Sequence, residues 1–308
     1  MLAGAIDCGG TKVLAALVDE KGTIYAPCCA SLPTRDKSRY FADSVALLRE
    51  SCRAHGFPFE SLSRVGVSIP GMTDGTDRVL GSPSAGWGGF SVFPLLRPLF
   101  PDSKIDIRLE NDVNACALAE RRFAAAGDDF IWLTVSTGIG GAVVSDGRLL
   151  RGATSCAGEI GHVKVEFDIP APCGCGGKGC LEAHASGTAI GRESQAAGTG
   201  EDAAACAAEA LSGNAAALRI WHRAGMYIGR ALASVSCAVN PSAVYVGGGV
   251  ARSLPLLLPG IREAFSREVL PQCSAVEILP SRLGYNASLL GAAALCFPMP
   301  EVGENRNG

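Results

Sequence analysis

A strand, a glycine turn and a returning strand open this chain, and the same order recurs about 130 residues later. No other feature restricts the fold as much. LAGAID (residues 2–7) and VLAALVD (13–19) flank the turn CGGTK, and KGTIYA returns as a third strand. FIWLTVSTGIGGAVVSDGRLLRG (130–152) repeats that order with an Asp-Gly turn before the last short strand. Two similar α/β halves are therefore expected. With 308 residues the chain is long enough for two compact domains, or one large one, with a sizeable core.

Between and after the repeats the pattern alternates. Residues 38–54 predict a helix, RVGVSIPG a strand ending in a Pro-Gly turn, and IDIRLEND a strand carrying Glu110, Asn111 and Asp112 at its carboxyl end. A helix over 113–126 follows, stopped by Gly127. Helices are predicted over 186–196, 202–211 and 214–238. AVYVGGGV reads as a strand with a third glycine turn, VEILPS as a late strand and NASLLGAAALCF as a closing helix.

The formal charge is −3, and 19% of residues are charged. That balance fits neither a polyanion-binding surface nor a basic membrane patch. Residues 1–7 read MLAGAID, with no signal-like charged and apolar regions, and the apolar runs are broken before spanning length. A soluble cytoplasmic protein is expected. The count of thirteen cysteines is odd and the chain is long, so free thiols are expected in place of a disulfide framework.

Glycines between two strands let backbone N–H groups approach an anion without obstruction by Cβ. Asp7-Cys8-Gly9-Gly10-Thr11-Lys12 adds a carboxylate, a hydroxyl and an ammonium, and Ser136 to Gly141 makes a second cradle without a lysine. Cys173, Cys175 and Cys180 are spaced C-x-C-x4-C, and with one imidazole they complete a Cys3His set suited to a closed structural zinc site. Both His162 and His184 are near enough in sequence to supply it. Glu159 and Glu182 flank this knot, placed to accept hydrogen bonds from vicinal hydroxyls. Glu159 is hemmed in by Cys156, Ala157, Gly158, Ile160 and Gly161, an odd setting for a solvated side chain. Asp112 is a candidate general base for transfer to a hydroxyl, or else the N-cap of the following helix. Asn111 beside it offers both a donor and an acceptor.

Taken together, DCGGTK, SIPG, LENDVNACALAE, STGIGGAVVSDGRLLRGA, AGEIGH, CGCGGKGCLE and VYVGGG resemble the ROK group (repressors, open reading frames, sugar kinases) of the actin-like ATPase superfamily, over residues 4 to 297. The resemblance implies a two-lobed actin-like, ribonuclease H-like α/β fold with duplicated mixed β-sheet domains and a structural zinc loop. In it ATP and sugar meet in the cleft, and the C-terminal helix completes the first lobe. Boundaries of 1–112 plus 288–308 and of 113–287 are expected for the two. The resemblance implies Asp112 as catalytic base, with Gly71, Asn111, Glu159, His162 and Glu182 around the sugar. It makes His162 the fourth zinc ligand, beside Cys173, Cys175 and Cys180. Asp7 would lie near the Mg2+ of Mg-ATP, with Gly9, Gly10, Thr11 and Lys12 at the phosphates. Thr137 and Gly138 would approach from the other lobe, and Gly247, Gly248 and Gly249 would border the adenosine. Ser136 and Ala142 depart from the family, which usually has glycine at both places.

The expected function is thus an ATP-dependent hexose kinase acting on the 6-hydroxyl. Glucose is the first choice, because CGCGGKGCLEAHASGTAI resembles the glucokinases most; N-acetylmannosamine or N-acetylglucosamine is the runner-up. A ROK-type transcriptional regulator would need room for a DNA-binding module, and only six residues precede Asp7. A non-catalytic sugar-binding protein would not need Asp7, Lys12, Asp112 and both glutamates. Family members commonly pair, and the Ala-rich helices of 202–238 offer apolar faces, so a homodimer or homotetramer is expected.

Overall fold

Three consecutive apolar runs open the computed structural model as an antiparallel meander of β1 (Leu2–Cys8), β2 (Lys12–Asp19) and β3 (Ile24–Ser31). The structure describes residues 1–10, 12–32, 34, 36–82, 85–102 and 104–303. Helix α1 (Lys37–His55) begins at Asp36, whose carboxylate accepts the Arg39 N–H, and ends at Gly56 in the left-handed region. Strand β4 (Arg64–Ile69) then pairs parallel with β1. A small antiparallel sheet of β5 (Met72–Thr73), β6 (Arg78–Gly81) and β7 (Phe90–Ser91) follows, then the short α2 (Phe93–Leu96). Strand β8 (Asp106–Asn111) pairs parallel with β4 and runs directly into α3 (Asp112–Phe123). The main sheet has the order β3-β2-β1-β4-β8.

The second half rebuilds this plan. Strands β9 (Phe130–Val135), β10 (Ile139–Ser145) and β11 (Arg148–Leu149) form the meander. Helices α4 (Leu181–Ala185), α5 (Gly187–Ala197), α6 (Ala203–Leu211) and α7 (Ala215–Val239) follow. Strand β12 (Ala243–Gly247), helix α8 (Leu254–Glu268) and strand β13 (Glu277–Pro280) complete it. The sheet order is β11-β10-β9-β12-β13, with two antiparallel strands added on one side of β9 and two parallel strands on the other. Strand for strand this matches the first sheet, so the recurrence in sequence is a recurrence of topology. In each sheet the middle parallel strand, RVGVSI or AVYVG, is apolar almost throughout and buried along its length, as a strand covered on both faces must be.

The last helix, α9 (Ala287–Ala294), packs on α3, β1 and β4. The chain accordingly divides into two compact units. Unit 1 holds residues 1–128, 151–157 and 285 onward, and unit 2 holds 129–150 and 158–284. The expected boundary at 112/113 moves, because α3 packs against α9 and stays with the first unit. Unit 1 also takes back residues 151–157 from the middle of the chain. Its core gathers Ile6, Val13, Leu17, Phe41, Leu48, Val67 and Leu109, and that of unit 2 gathers Leu133, Val143, Ile190, Trp221, Ile228 and Ile261. Helix α3 ends at Phe123, short of the expected 126, with Ala125 at φ +54°. None of the described helices is long and apolar enough to cross a membrane.

Candidate active site and metal centre

In unit 1, β1, β4 and β8 are parallel neighbours, so their carboxyl ends lie on one edge of the sheet. Such an edge is where ligands bind in parallel α/β sheets. Asp7 lies opposite Ser68, and Ser68 opposite Glu110. This register brings the DCGG turn, the Pro70-Gly71 turn and the Asn111-Asp112 step to the same edge. Thr11, expected at the phosphates, lies outside the described residues.

Asn111 is the N-cap of α3, its Oδ1 accepting the N–H groups of Val113 and Asn114 at 2.9 Å each. The capping role open to Asp112 is therefore taken. The Asn111 amide nitrogen donates to the Gly71 carbonyl at 2.8 Å and to Asp112 Oδ1 at 2.9 Å. Both ends of the amide are engaged, and a sugar hydroxyl would have to share them. Gly71 adopts φ +103°, and a Cβ there would run into the backbone of Gly81 and Ser82.

Asp112 keeps part of its surface open to solvent yet lies deep among protein atoms. Burial, and secondarily the charge of Asp7, push its carboxyl up to about 7, against the Val113 N–H and Asn111 hydrogen bonds. Asp7 is likewise raised by burial, opposed by hydrogen bonds from Ser288 and Ser68 and by the charge of Lys12. The Ser68 hydroxyl donates to Asp7 Oδ1 at 2.7 Å. Two carboxyls with raised proton affinity thus face the same edge, and one of them titrates near neutrality. A carboxyl tuned in this way can receive a proton from a hydroxyl.

Glu110, one residue before the cap, is only 1% exposed. It accepts the Thr73 hydroxyl at 3.2 Å, the Asn111 N–H at 2.8 Å and the Asn114 amide at 3.1 Å, and it pairs with Arg151. It therefore ties β5, α3 and the returning segment 151–157 together. Sequence reasoning placed Glu110 at the strand end and gave it no role. Arg151 lies 41 positions away and was not singled out.

In unit 2 the carboxyl ends of β9 and β12 carry the other two glycine turns, with Thr134 opposite Gly247. The N–H of Gly187, first residue of α5, donates to the Ser136 carbonyl at 2.8 Å, and the Thr188 hydroxyl to the Thr137 carbonyl at 2.8 Å. Thr137 and Gly138 are thus fixed against α5, and Gly247 to Gly249 sit at the end of the neighbouring strand. Glu182 reaches this turn as well, its Oε2 accepting the Ile139 N–H at 2.9 Å.

The donor atoms of His162, Cys173, Cys175 and Cys180 lie within 4.8 Å of one another. At a Zn–S distance of about 2.3 Å, the edge of a tetrahedron is about 3.8 Å. The Cys175–Cys180 sulfur separation is 3.7 Å, and Cys173 Sγ to His162 Nδ1 is also 3.7 Å. The donor set fits a tetrahedral ion. Gly176 and Gly179 turn the loop with φ +85° and +72°. Lys164 Nζ donates to Cys180 Sγ at 2.8 Å, a positive charge that would offset the thiolates of a metal-bound set. His184, the other imidazole near in sequence, accepts the Ala171 N–H at 3.0 Å and packs on Tyr227. It is buried structure and no member of the cluster.

Glu159 Oε2 lies 3.9 Å from His162 Nε2, and its side chain is 49% exposed. Its apolar sequence neighbours do not bury it, because Ile160 and Gly161 turn inward while Glu159 turns out.

Comparison with known proteins follows the same lines. The family model described as "ROK family" matches residues 3–297. An N-acetylmannosamine kinase of Shigella boydii is 34% identical over 294 residues, covering 94% of this chain and 97% of that one. A glucokinase of Halalkalibacterium halodurans is 30% identical over 311 residues, covering 94% and 93%. The crystal structure of a ROK family glucokinase from Streptomyces griseus, in complex with glucose and AMPPNP, superposes with a TM-score of 0.81 at 29% identity, over 96% of this chain and 99% of that one.

Proposed function

This chain belongs to the ROK family, and from that membership we propose that it is an ATP-dependent sugar kinase carrying the γ-phosphate to the 6-hydroxyl of a hexose. The observation that carries the mechanism is the separation of roles at Asn111 and Asp112. Asn111 caps α3, which leaves the Asp112 carboxyl, pushed up to about 7, to act on a substrate. Asp112 accepts the proton of the 6-hydroxyl as its oxygen attacks the γ-phosphorus. Asn111 holds Asp112 in place, and Gly71 presents backbone to the sugar. Glu159, Glu182 and His162 are assigned to its hydroxyls near the anomeric carbon.

Asp7, Gly9, Gly10, Thr11 and Lys12 are assigned to the phosphates with Mg2+, Thr137 and Gly138 to their far side, and Gly247 to Gly249 to the adenosine. Bound Mg2+ would neutralise phosphate charge during transfer. His162, Cys173, Cys175 and Cys180 would hold zinc as a closed structural site that stiffens the loop leading into α4, which bears Glu182. We place the enzyme in the cytoplasm as a homodimer or homotetramer without nucleic-acid or membrane partners. Light scattering that returned a mass near 31.6 kDa would remove the assembly.

Glucose remains the first substrate proposed. A second reading, N-acetylmannosamine, is favoured by the 34% identical kinases named for that sugar. The test is ADP release coupled to a reporter enzyme, run across glucose, N-acetylmannosamine, N-acetylglucosamine and allose. One of these should give turnover far above the sugar-free rate, and Asp112→Asn should abolish it. If no sugar raises ADP release, the kinase reading fails.

A further inference from the structure

A second set of polar side chains meets the first glycine turn from the far end of the chain. After β13 the chain turns at Gly284 (φ +57°) and re-enters unit 1 at Tyr285, two residues before α9. The Lys12 ammonium donates to the Tyr285 hydroxyl at 2.8 Å and lies 5.4 Å from the centre of its ring. One helical turn further on, Ser288 lies close enough to Asp7 to favour its charged form. The start of α9 thus touches both charged members of the DCGGTK turn.

Packing does not explain the Lys12–Tyr285 contact. Tyr285 is 68% exposed, so it adds little to the core. Lys12 is exposed too, and a lysine in that setting has a flexible stem with no single preferred place for its charge. The Asp7 carboxyl feels the ammonium, and the Cys29 side chain on the paired strand β3 also lies within its reach. The phenol oxygen is the acceptor that meets it at 2.8 Å from the far end of the chain.

We propose that Tyr285 is a positioning residue of the nucleotide site, fixing the Lys12 ammonium where the polyphosphate end of a nucleoside triphosphate binds. This rests on the assignment of Lys12 to the phosphates made above. Tyr285 acts through Lys12, so its effect scales with the number of phosphates and vanishes for a nucleoside.

The test is calorimetry with adenosine, ADP and AMPPNP in the presence of Mg2+, on wild type, Tyr285→Phe, Lys12→Met and the double variant. Phenylalanine keeps the ring and removes one exposed hydroxyl, so folding is preserved. Tyr285→Phe should weaken AMPPNP by about three- to tenfold, ADP by less and adenosine not at all. In the Lys12→Met background the same change should cost nothing more, which a merely structural role would not produce. The proposal is overturned if Tyr285→Phe leaves AMPPNP binding intact while Lys12→Met weakens it. It is equally overturned if the loss persists without Lys12, or if adenosine is weakened as much as AMPPNP. Should Lys12→Met itself leave AMPPNP untouched, the phosphate assignment of the turn falls, and the role of Tyr285 with it.

Discussion

Replacing Asp112 by Asn should make the protein more stable at alkaline pH while removing its activity. Asp112 has its carboxyl moved from 3.8 to about 7, first by burial and then by the charge of Asp7. A tenfold change in proton affinity is about 1.4 kcal/mol, so the ionised side chain carries a penalty of about 4 kcal/mol at most in the folded state. The raised value favours the folded chain fully below 3.8, and that advantage is lost as pH climbs through about 7. Asparagine never ionises. Its Oδ1 can still accept the Val113 N–H and the Asn111 amide, which lie at 3.0 and 2.9 Å. The new amide NH2 needs an acceptor of its own, so about half of the penalty, about 2 kcal/mol, should be recovered. For a unit of this size that is a rise of about 4–8 °C in melting temperature at pH 8, and clearly less at pH 5. Scanning calorimetry without nucleotide or Mg2+ measures it, and the same samples should show kcat lower by ~10²–10⁴-fold. Wild-type activity should rise as pH increases through about 7, as the base ionises. A variant no more stable than wild type at pH 8, or equally stabilised at both pH values, would show that burial does not strain this carboxylate.

Purified protein should contain about one zinc per chain, and Cys175→Ser should lose it together with several degrees of thermal stability; metal analysis that finds none, or a variant that keeps its zinc, ends the Cys3His assignment. Arg151→Met strips the ion-pair partner of Glu110, while Thr73, Asn111 and Asn114 still donate to it. Because the Arg151 side chain is 38% exposed, solvent screens part of the pair, and the expected cost is about 1–2 kcal/mol in urea denaturation. An unchanged midpoint would mean that the returning segment 151–157 is held by other contacts.

The sheets were legible because their strands are long apolar runs between glycine turns, and the recurrence of that order carried the topology with it. Helix α8 was not, since Pro255 and Pro259 break its pattern; the first stands in the opening turn, where no N–H is needed, and the second is absorbed inside the helix. The sheet of β5, β6 and β7 has strands of two to four residues, too short to show a period. At the site, Asn111 and Asp112 are adjacent and both good caps, so residue type could not assign the cap; the path of the chain out of β8 does. His162 and His184 posed the same kind of choice, and the hydrogen bond from Ala171 removes His184. The pairs Glu110–Arg151 and Lys12–Tyr285 join residues 41 and 273 positions apart, and no local pattern announces such partners.

The placement of α9 reverses the order of completion relative to the order of synthesis. A ribosome delivers β1, β4 and α3 early, yet the helix that covers them is made only at residues 287–294. Unit 2, which ends at residue 284, has all its elements before that moment. The first-made half must therefore wait with one flank of its sheet uncovered while the second-made half closes. A chain truncated after residue 284 and released would be protease-resistant over 158–284 and cleavable within 1–128.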